Sequence, residues 1–212
     1  MKKVLSIIVF ISILYVLPLL AKPTLMISFP IIFCVVVCII LLASQPLMSA
    51  KESYENRSTD KGTMWLIILI STTGQLVSVV DWAYFQSYDG SLSIWVWIGI
   101  SLAIIGLTLR IWAIQKLQSA FSATVQIKSD QQLITSGPYK WLRHPSYTGA
   151  WLVMIGVAIV FNSMGGLLFM GPGMFIVYGK RISTEEKTLK GAFGQEYIVY
   201  EKRTKKLIPF IY

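Results

Sequence analysis

The sequence predicts an all-α integral membrane protein of about six transmembrane helices, five being possible, with a cytoplasmic polar region at its C-terminal end. Three observations lead there. Hydrophobic residues make up 55% of the 212 and charged residues only 14%, where a soluble domain carries roughly a quarter; mean hydropathy is +0.64. The apolar residues gather into runs of spanning length. Finally, with six spans and the N-terminus inside, Lys22 is the only one of the nineteen lysines and arginines on the outer face, as the positive-inside rule asks. A five-span chain would put the basic C-terminal tail outside.

In chain order, Met1-Lys2-Lys3 precedes an apolar run from Val4 to Ala21. It is longer than a signal-peptide core of ~7–15 residues and Leu19-Leu20-Ala21 is a poor cleavage site, so it is expected to be a retained span. Lys22-Pro23 is a turn, and the second run extends from Thr24 to about Leu47. Residues 49–61 are polar and mixed in charge, hence a loop. The third run, Met64 to about Trp82, carries Thr72, Thr73, Gln75 and Ser78, which should face neighbouring helices because polar groups are costly in hydrocarbon. Asp89-Gly90 marks a turn before the fourth run, Leu92 to about Ile114.

The longest polar insert, 115–146, contains a short extended piece at 124–127 and a turn at Ser129-Asp130. The stretch Gly149–Tyr178 is too long for one span of ~20 residues, and Asn162-Ser163 with Gly165-Gly166 should split it into two helices. Gly171-Pro172-Gly173 should bend or interrupt the second. The organisation is thus a four-helix membrane region, 1–114, followed by a region 115–212 with a helical hairpin.

Composition narrows the chemistry. Cys34 and Cys38 lie four apart in an apolar run, where they pack as small apolar side chains; with one histidine and no thiol cluster, no metal site is expected. The net charge of +9 is orientation signal and attraction to anionic membrane lipids, and nothing asks for nucleic acid. Trp95, Trp97, Trp112 and Trp151 read as interfacial anchors or as the lining of a lipid pocket.

The most informative stretch is Gly137-Pro138-Tyr139-Lys140-Trp141-Leu142-Arg143-His144-Pro145-Ser146-Tyr147-Thr148-Gly149, which holds the only histidine. Pro145 pushes His144 toward an extended conformation and suits the first turn of a helix. A helix start with Arg143 beside it fits an anionic group, such as the carboxylate of an amino-acid-like cofactor. The same composition is equally ordinary for a juxtamembrane anchor. Further on, Glu185-Glu186 follows Lys180-Arg181. On a solvated helix Arg181 would pair with Glu185 and Glu186 with Lys190, both at i,i+4. Tyr197 and Tyr200 share a helix face in a segment that reads as amphipathic.

Taken in order, Leu133-Ile134, Gly137-Pro138-Tyr139, Arg143-His144-Pro145-Ser146-Tyr147-Thr148-Gly149, Glu185-Glu186, Phe193-Gly194, Glu196-Tyr197, Tyr200 and Leu207-Ile208-Pro209 form a pattern over about residues 115–212. It resembles the isoprenylcysteine carboxyl methyltransferase family and its wider superfamily, which includes phospholipid N-methyltransferases. The resemblance implies a membrane methyltransferase that binds S-adenosylmethionine at the cytoplasmic face and acts on a lipophilic small molecule or lipidated substrate. It implies that Leu133, Gly137, Tyr139, Arg143, His144, Tyr147, Glu185 and Glu186 bind the cofactor, with Arg143, His144 and Glu186 as the catalytic candidates. Methylating a carboxylate needs positioning and exclusion of water, whereas an amine or phenol acceptor would call on His144 or Glu186 as a base. A phospholipid amine methyltransferase, an NADPH-dependent membrane sterol-type reductase, which shares the Arg-His-Pro portion, and a non-enzymatic membrane protein stay open as alternatives.

Overall fold

The computed structural model describes residues 2–45, 62–118 and 132–208. The expected loop at 49–61, the extended piece at 124–127 and the turn at 129–130 lie outside the described residues. Among those described the chain is helical: α1 (Lys2–Ile11), α2 (Phe29–Ala43), α3 (Thr63–Val80), α4 (Ile94–Leu117), α5 (Pro145–Val160), α6 (Met164–Phe193) and α7 (Gln195–Arg203). Six of these carry the six apolar runs. By length and composition two helices can cross a membrane, Thr63–Phe85 and Ile94–Leu117, and the other apolar stretches are shorter.

Local chemistry explains the irregular ends. Past Ile11 the first helix widens into a π turn, Ser12–Val16, and tightens into a 3-10 turn, Leu17–Leu19. Pro18 lacks an N–H and crowds the carbonyl four residues back, so the regular ladder cannot continue. Tyr15 in that turn is buried and donates to Gln75 Oε1 at 3.1 Å, so a polar residue of the third run does face a neighbouring helix. Two lysines close helix C-termini: Lys3 donates to Ala43 O at 2.6 Å and Lys22 to Ala83 O at 2.6 Å. Asp89 turns the chain by accepting from Ser91 N at 2.9 Å. Cys34 and Cys38 are free and buried.

The Gly149–Tyr178 run is split as expected. α5 ends at Val160, Asn162 takes a φ of 48°, and the Ser163 hydroxyl caps α6 by accepting from Gly166 N at 3.0 Å. Of the bend or interruption expected at Gly171-Pro172-Gly173, an interruption is not found: α6 runs unbroken from Met164 to Phe193. Packing outweighs propensity there: Met170 and Met174 are fully buried, and Trp151 Nε1 donates to Gly171 O at 2.9 Å. Trp151 is therefore an internal strut of the α5–α6 pair, with its ring on Phe175, while Trp95 and Trp97 are exposed.

The tightest contact is between α4 and α5. Gly99, Gly106, Gly149 and Gly156 recur every seven residues on the facing sides of the two helices, so the backbones touch. A Cβ on Gly106 would lie 2.6 Å from Gly149 O, and one on Gly149 only 2.7 Å from Arg110 N. One apolar cluster, with Leu14, Cys34, Val79, Trp82 and Phe161, fills the space among the first four helices and the end of α5. A second, with Met154, Met170, Met174, Tyr178, Ile182 and Leu207, lies along α6 and leads toward its polar end.

Replacing Gly149 by Ala forces backbone, not side chain, to move, and is expected to destabilise the protein by ~1–3 kcal/mol. Gly171→Ala, whose Cβ meets nothing within 4 Å, should be neutral or slightly stabilising. Unfolding midpoints of the two variants in detergent check this pair.

Candidate functional site

The start of α5 is built by the chain's last described segment. Pro145 occupies the first turn and His144 is the N-cap residue, at φ −128°. The backbone N–H of Arg143 donates to Lys205 O at 2.7 Å and that of His144 to Lys206 O at 3.2 Å, while Lys205 N donates to Trp141 O at 3.0 Å. Residues 141–144 and 205–206 thus run side by side in a short parallel ladder. Thr148 Oγ1 adds a bond to Leu207 O at 2.7 Å. Before the ladder, Gly137 turns the chain at φ +63°, with the Lys116 side chain about 3.0 Å from where a Cβ would sit. Tyr200 of α7 donates to Tyr139 O at 2.8 Å, holding that turn down.

α6 carries the acidic pair to the same place. Glu186 Oε1 accepts from Arg143 Nε at 2.7 Å and lies 3.3 Å from His144 Nε2; its other oxygen is 3.6 Å from Lys206 Nζ. Arg143 also donates through Nη1 to Glu201 O at 3.0 Å and Thr204 O at 2.5 Å. Burial opposes ionisation of Glu186, but the bonds from His144 and Arg143 and their charges outweigh it and hold the carboxyl at about 2. An ionised carboxylate only accepts, so His144 Nε2 carries a hydrogen. Its Nδ1 is 3.9 Å from Glu185 Oε2. Glu185 accepts from Tyr147 Oη at 3.0 Å.

Two buried polar atoms at this site have no hydrogen-bond partner among the described residues: Arg110 Nε and the Tyr197 hydroxyl. Arg110 is 7% exposed, and its Nη1 donates to Ser146 O at 2.9 Å and Ser146 Oγ at 3.0 Å. Its charge bears on Tyr139, Tyr147 and Tyr178. Tyr197 lies where the Glu186 and Arg143 charges reach it; burial first, then Glu186, pushes its pKa well up. Burial and then Glu185 do the same to Tyr139. Leaving such groups unbonded costs ~1–3 kcal/mol each, so each atom is suited to a polar ligand.

The structure brings Arg143, His144, Tyr147, Glu185 and Glu186 into one cluster, with the Tyr139 ring buried nearby and its hydroxyl 3.4 Å from Ala113 O. Leu133 stands elsewhere, in a groove of about 660 Å³ at the end of α4, lined also by Trp112, Gln115, Lys116 and Ser136; Gly137 borders it through Lys116. The i,i+4 pairings expected of a solvated helix give way to tertiary ones. Arg181 is buried and donates to Tyr147 Oη at 2.7 Å, and Lys190 pairs with Glu201 at 2.7 Å. Tyr197 and Tyr200 share the buried face of α7. Arg110, Arg181, Thr204 and Lys206 are members that the sequence reading passed over. Arg110 did carry a signal, as the one charged residue in the apolar run 92–114.

Residues 97–191 match the sequence profile of the isoprenylcysteine carboxyl methyltransferase (ICMT) family. A protein-S-isoprenylcysteine O-methyltransferase of Tribolium castaneum is 36% identical over 116 residues, 54% of this chain and 41% of that protein. A protein-S-isoprenylcysteine O-methyltransferase B of Arabidopsis thaliana is 29% identical over 142 residues, 64% of this chain and 72% of its own length. The Saccharomyces cerevisiae protein-S-isoprenylcysteine O-methyltransferase is 33% identical over 127 residues, 59% and 53% of the two chains. The matches therefore span between about two fifths and three quarters of these relatives. The solved structure of the eukaryotic intramembrane Ras methyltransferase ICMT superposes with a TM-score of 0.58 at 25% identity, covering 95% of this chain and 74% of that one. With Arg143, His144, Tyr147, Glu185 and Glu186 gathered into one cluster, the chain is similar in sequence over residues 97–191, and in fold over most of its length, to members of the isoprenylcysteine carboxyl methyltransferase family.

Proposed function

We propose that the protein is an integral membrane methyltransferase that uses S-adenosylmethionine to esterify a carboxylate on a lipophilic acceptor of the isoprenylcysteine type. The observation that carries the carboxylate is Arg110. A buried guanidinium whose Nε has no partner among the described residues, bonded through Ser146 to the start of α5, selects an anion at its side of the site. An amine acceptor would meet a like charge there.

The donor set fits the cofactor. The Glu185 carboxylate, partly exposed, suits its ammonium and sulfonium, and the start of α5 suits its carboxylate. Tyr197 offers a hydroxyl, and the separate groove with Leu133, bordered by Gly137, offers a surface for adenine. When bound, S-adenosylmethionine supplies a methyl group made electrophilic by its sulfonium. The protein then has to hold the acceptor in line and keep water out, since an acceptor carboxylate is already ionised near neutral pH. Glu186 is not suited to be a base, because its contacts hold it at about 2; it fixes His144 and Arg143 in place. This weighs against the amine-methylating alternative, and the acidic pair weighs against an anionic nicotinamide cofactor.

On this reading Arg143 serves the site by clamping the tail, since its Nε and Nη1 already meet Glu186, Glu201 and Thr204. The first four helices form the membrane scaffold, and residues 115–212 complete the cofactor region. Six spans with both termini and the site cytoplasmic account best for the one-sided charge. Cysteine accessibility in intact cells tests that topology, and an extracytoplasmic C-terminus would sink it.

S-adenosylhomocysteine, and not NADPH, is expected to raise the unfolding midpoint of the purified protein. Arg110→Met should leave that affinity within about twofold while lowering kcat/KM for a prenylcysteine carboxylate by ~2–5 kcal/mol, about thirtyfold or more. Retained transfer in Arg110→Met would remove the carboxylate assignment.

The Glu186 carboxyl is depressed from 4.5 to about 2 in the folded protein. Its contacts therefore stabilise fully above about 4.5 and are lost as pH falls toward about 2. Unfolding midpoints across that window should fall more steeply for wild type than for Glu186→Gln, which starts lower and changes less.

A further inference from the structure

Arg181 lies one helical turn before Glu185 on α6 and is 4% exposed. Its Nε donates to Tyr147 Oη at 2.7 Å, and its Nη1 to Thr63 Oγ1 at the start of α3, at 3.4 Å. The same Tyr147 oxygen donates to Glu185 Oε2 at 3.0 Å. A guanidinium has donors only, and a phenol has a single proton. Because Arg181 takes an acceptor lobe of the Tyr147 oxygen, the phenolic proton is directed at Glu185. The bonds from Arg181 through Tyr147 to Glu185 thus run in one direction, while a second Arg181 donor is held by Thr63.

We infer that Arg181 is a positioning residue that acts through the Tyr147 hydroxyl to hold the Glu185 carboxylate as a fixed acceptor at the rim of the site. The Tyr147 ring is held independently, 4.9 Å from Tyr178 and 5.8 Å from His144 between centroids. Loss of Arg181 therefore leaves the ring in place and frees the hydroxyl to turn. Glu185 then loses its orientation without losing its own atoms. What Glu185 holds rests on the proposed cofactor reading; the relay itself is a property of the folded chain.

A double-mutant cycle tests it with Arg181→Gln and Tyr147→Phe in the full-length protein in detergent, read as S-adenosylhomocysteine affinity by calorimetry and as the ligand-free unfolding midpoint. Arg181→Gln should weaken affinity about tenfold alone and less than twofold in the Tyr147→Phe background. The ligand-free midpoints should be non-additive in the same way. Equal losses in both backgrounds, or an unchanged affinity in Arg181→Gln, would overturn the inference. Should Arg181→Gln not fold, Arg181→Lys is measured in the same cycle with the same criterion. If the wild type fails to bind S-adenosylhomocysteine, the methyl-transfer reading falls, and the ligand-free cycle still decides the relay.

Discussion

Everything at the polar end of the molecule depends on the Arg143–Glu186 ion pair. Its 2.7 Å bond joins two side chains that are each only 7% exposed. A pair removed from water in this way holds only if its remaining donors and lone pairs are also met. Here they are: Arg143 reaches the carbonyls of Glu201 and Thr204, and Glu186 is approached by His144 and Lys206. The pair therefore fastens the start of α5, the polar extension of α6 and the segment after α7 to one another. Removing either partner would leave a buried charge without its counter-ion, a change of ~3–5 kcal/mol.

Around that fastening the charges are sorted. Glu185 presents negative charge to the rim, and Arg110 brings a positive group in from α4 within reach of Tyr139, Tyr147 and Tyr178. On the proposed reading, a site that seats a cationic donor beside an anionic acceptor needs such a division, because in a low-dielectric enclosure each charge would otherwise repel one of the two. The α4–α5 seam maintains it. With backbone against backbone at Gly106 and Gly149, the helix bearing Arg110 and the helix that follows His144 have no room to slide.

Much of the helix layout was legible from hydropathy and turn chemistry. The split at Asn162-Ser163, the start of α5 at Pro145 and the turn at Asp89-Gly90 each follow from a local rule that nothing in the fold contradicts. Rules that consider one helix in isolation did worse. Pro172 leaves α6 continuous because Met170, Met174 and the Trp151 bond anchor it on both sides. Arg181 and Lys190 found partners across the fold in preference to those four residues away. The acidic pair and the Arg-His stretch were visible as composition, but their meeting joins positions 43 residues apart and needed the fold to bring it about. The glycine seam was hidden for a related reason: glycine at every seventh position means nothing until the facing helix is known.

The ladder between residues 141–144 and 205–206 also fixes an order of events during biosynthesis. The amides of Arg143 and His144 leave the ribosome some sixty residues before the carbonyls of Lys205 and Lys206 that receive them. The residues of α5 and α6 are all made in that interval, but their polar rim stays unpaired until the tail emerges. Assembly of this centre is therefore a late step, and a nascent chain stalled inside α7 lacks the carbonyls that close it.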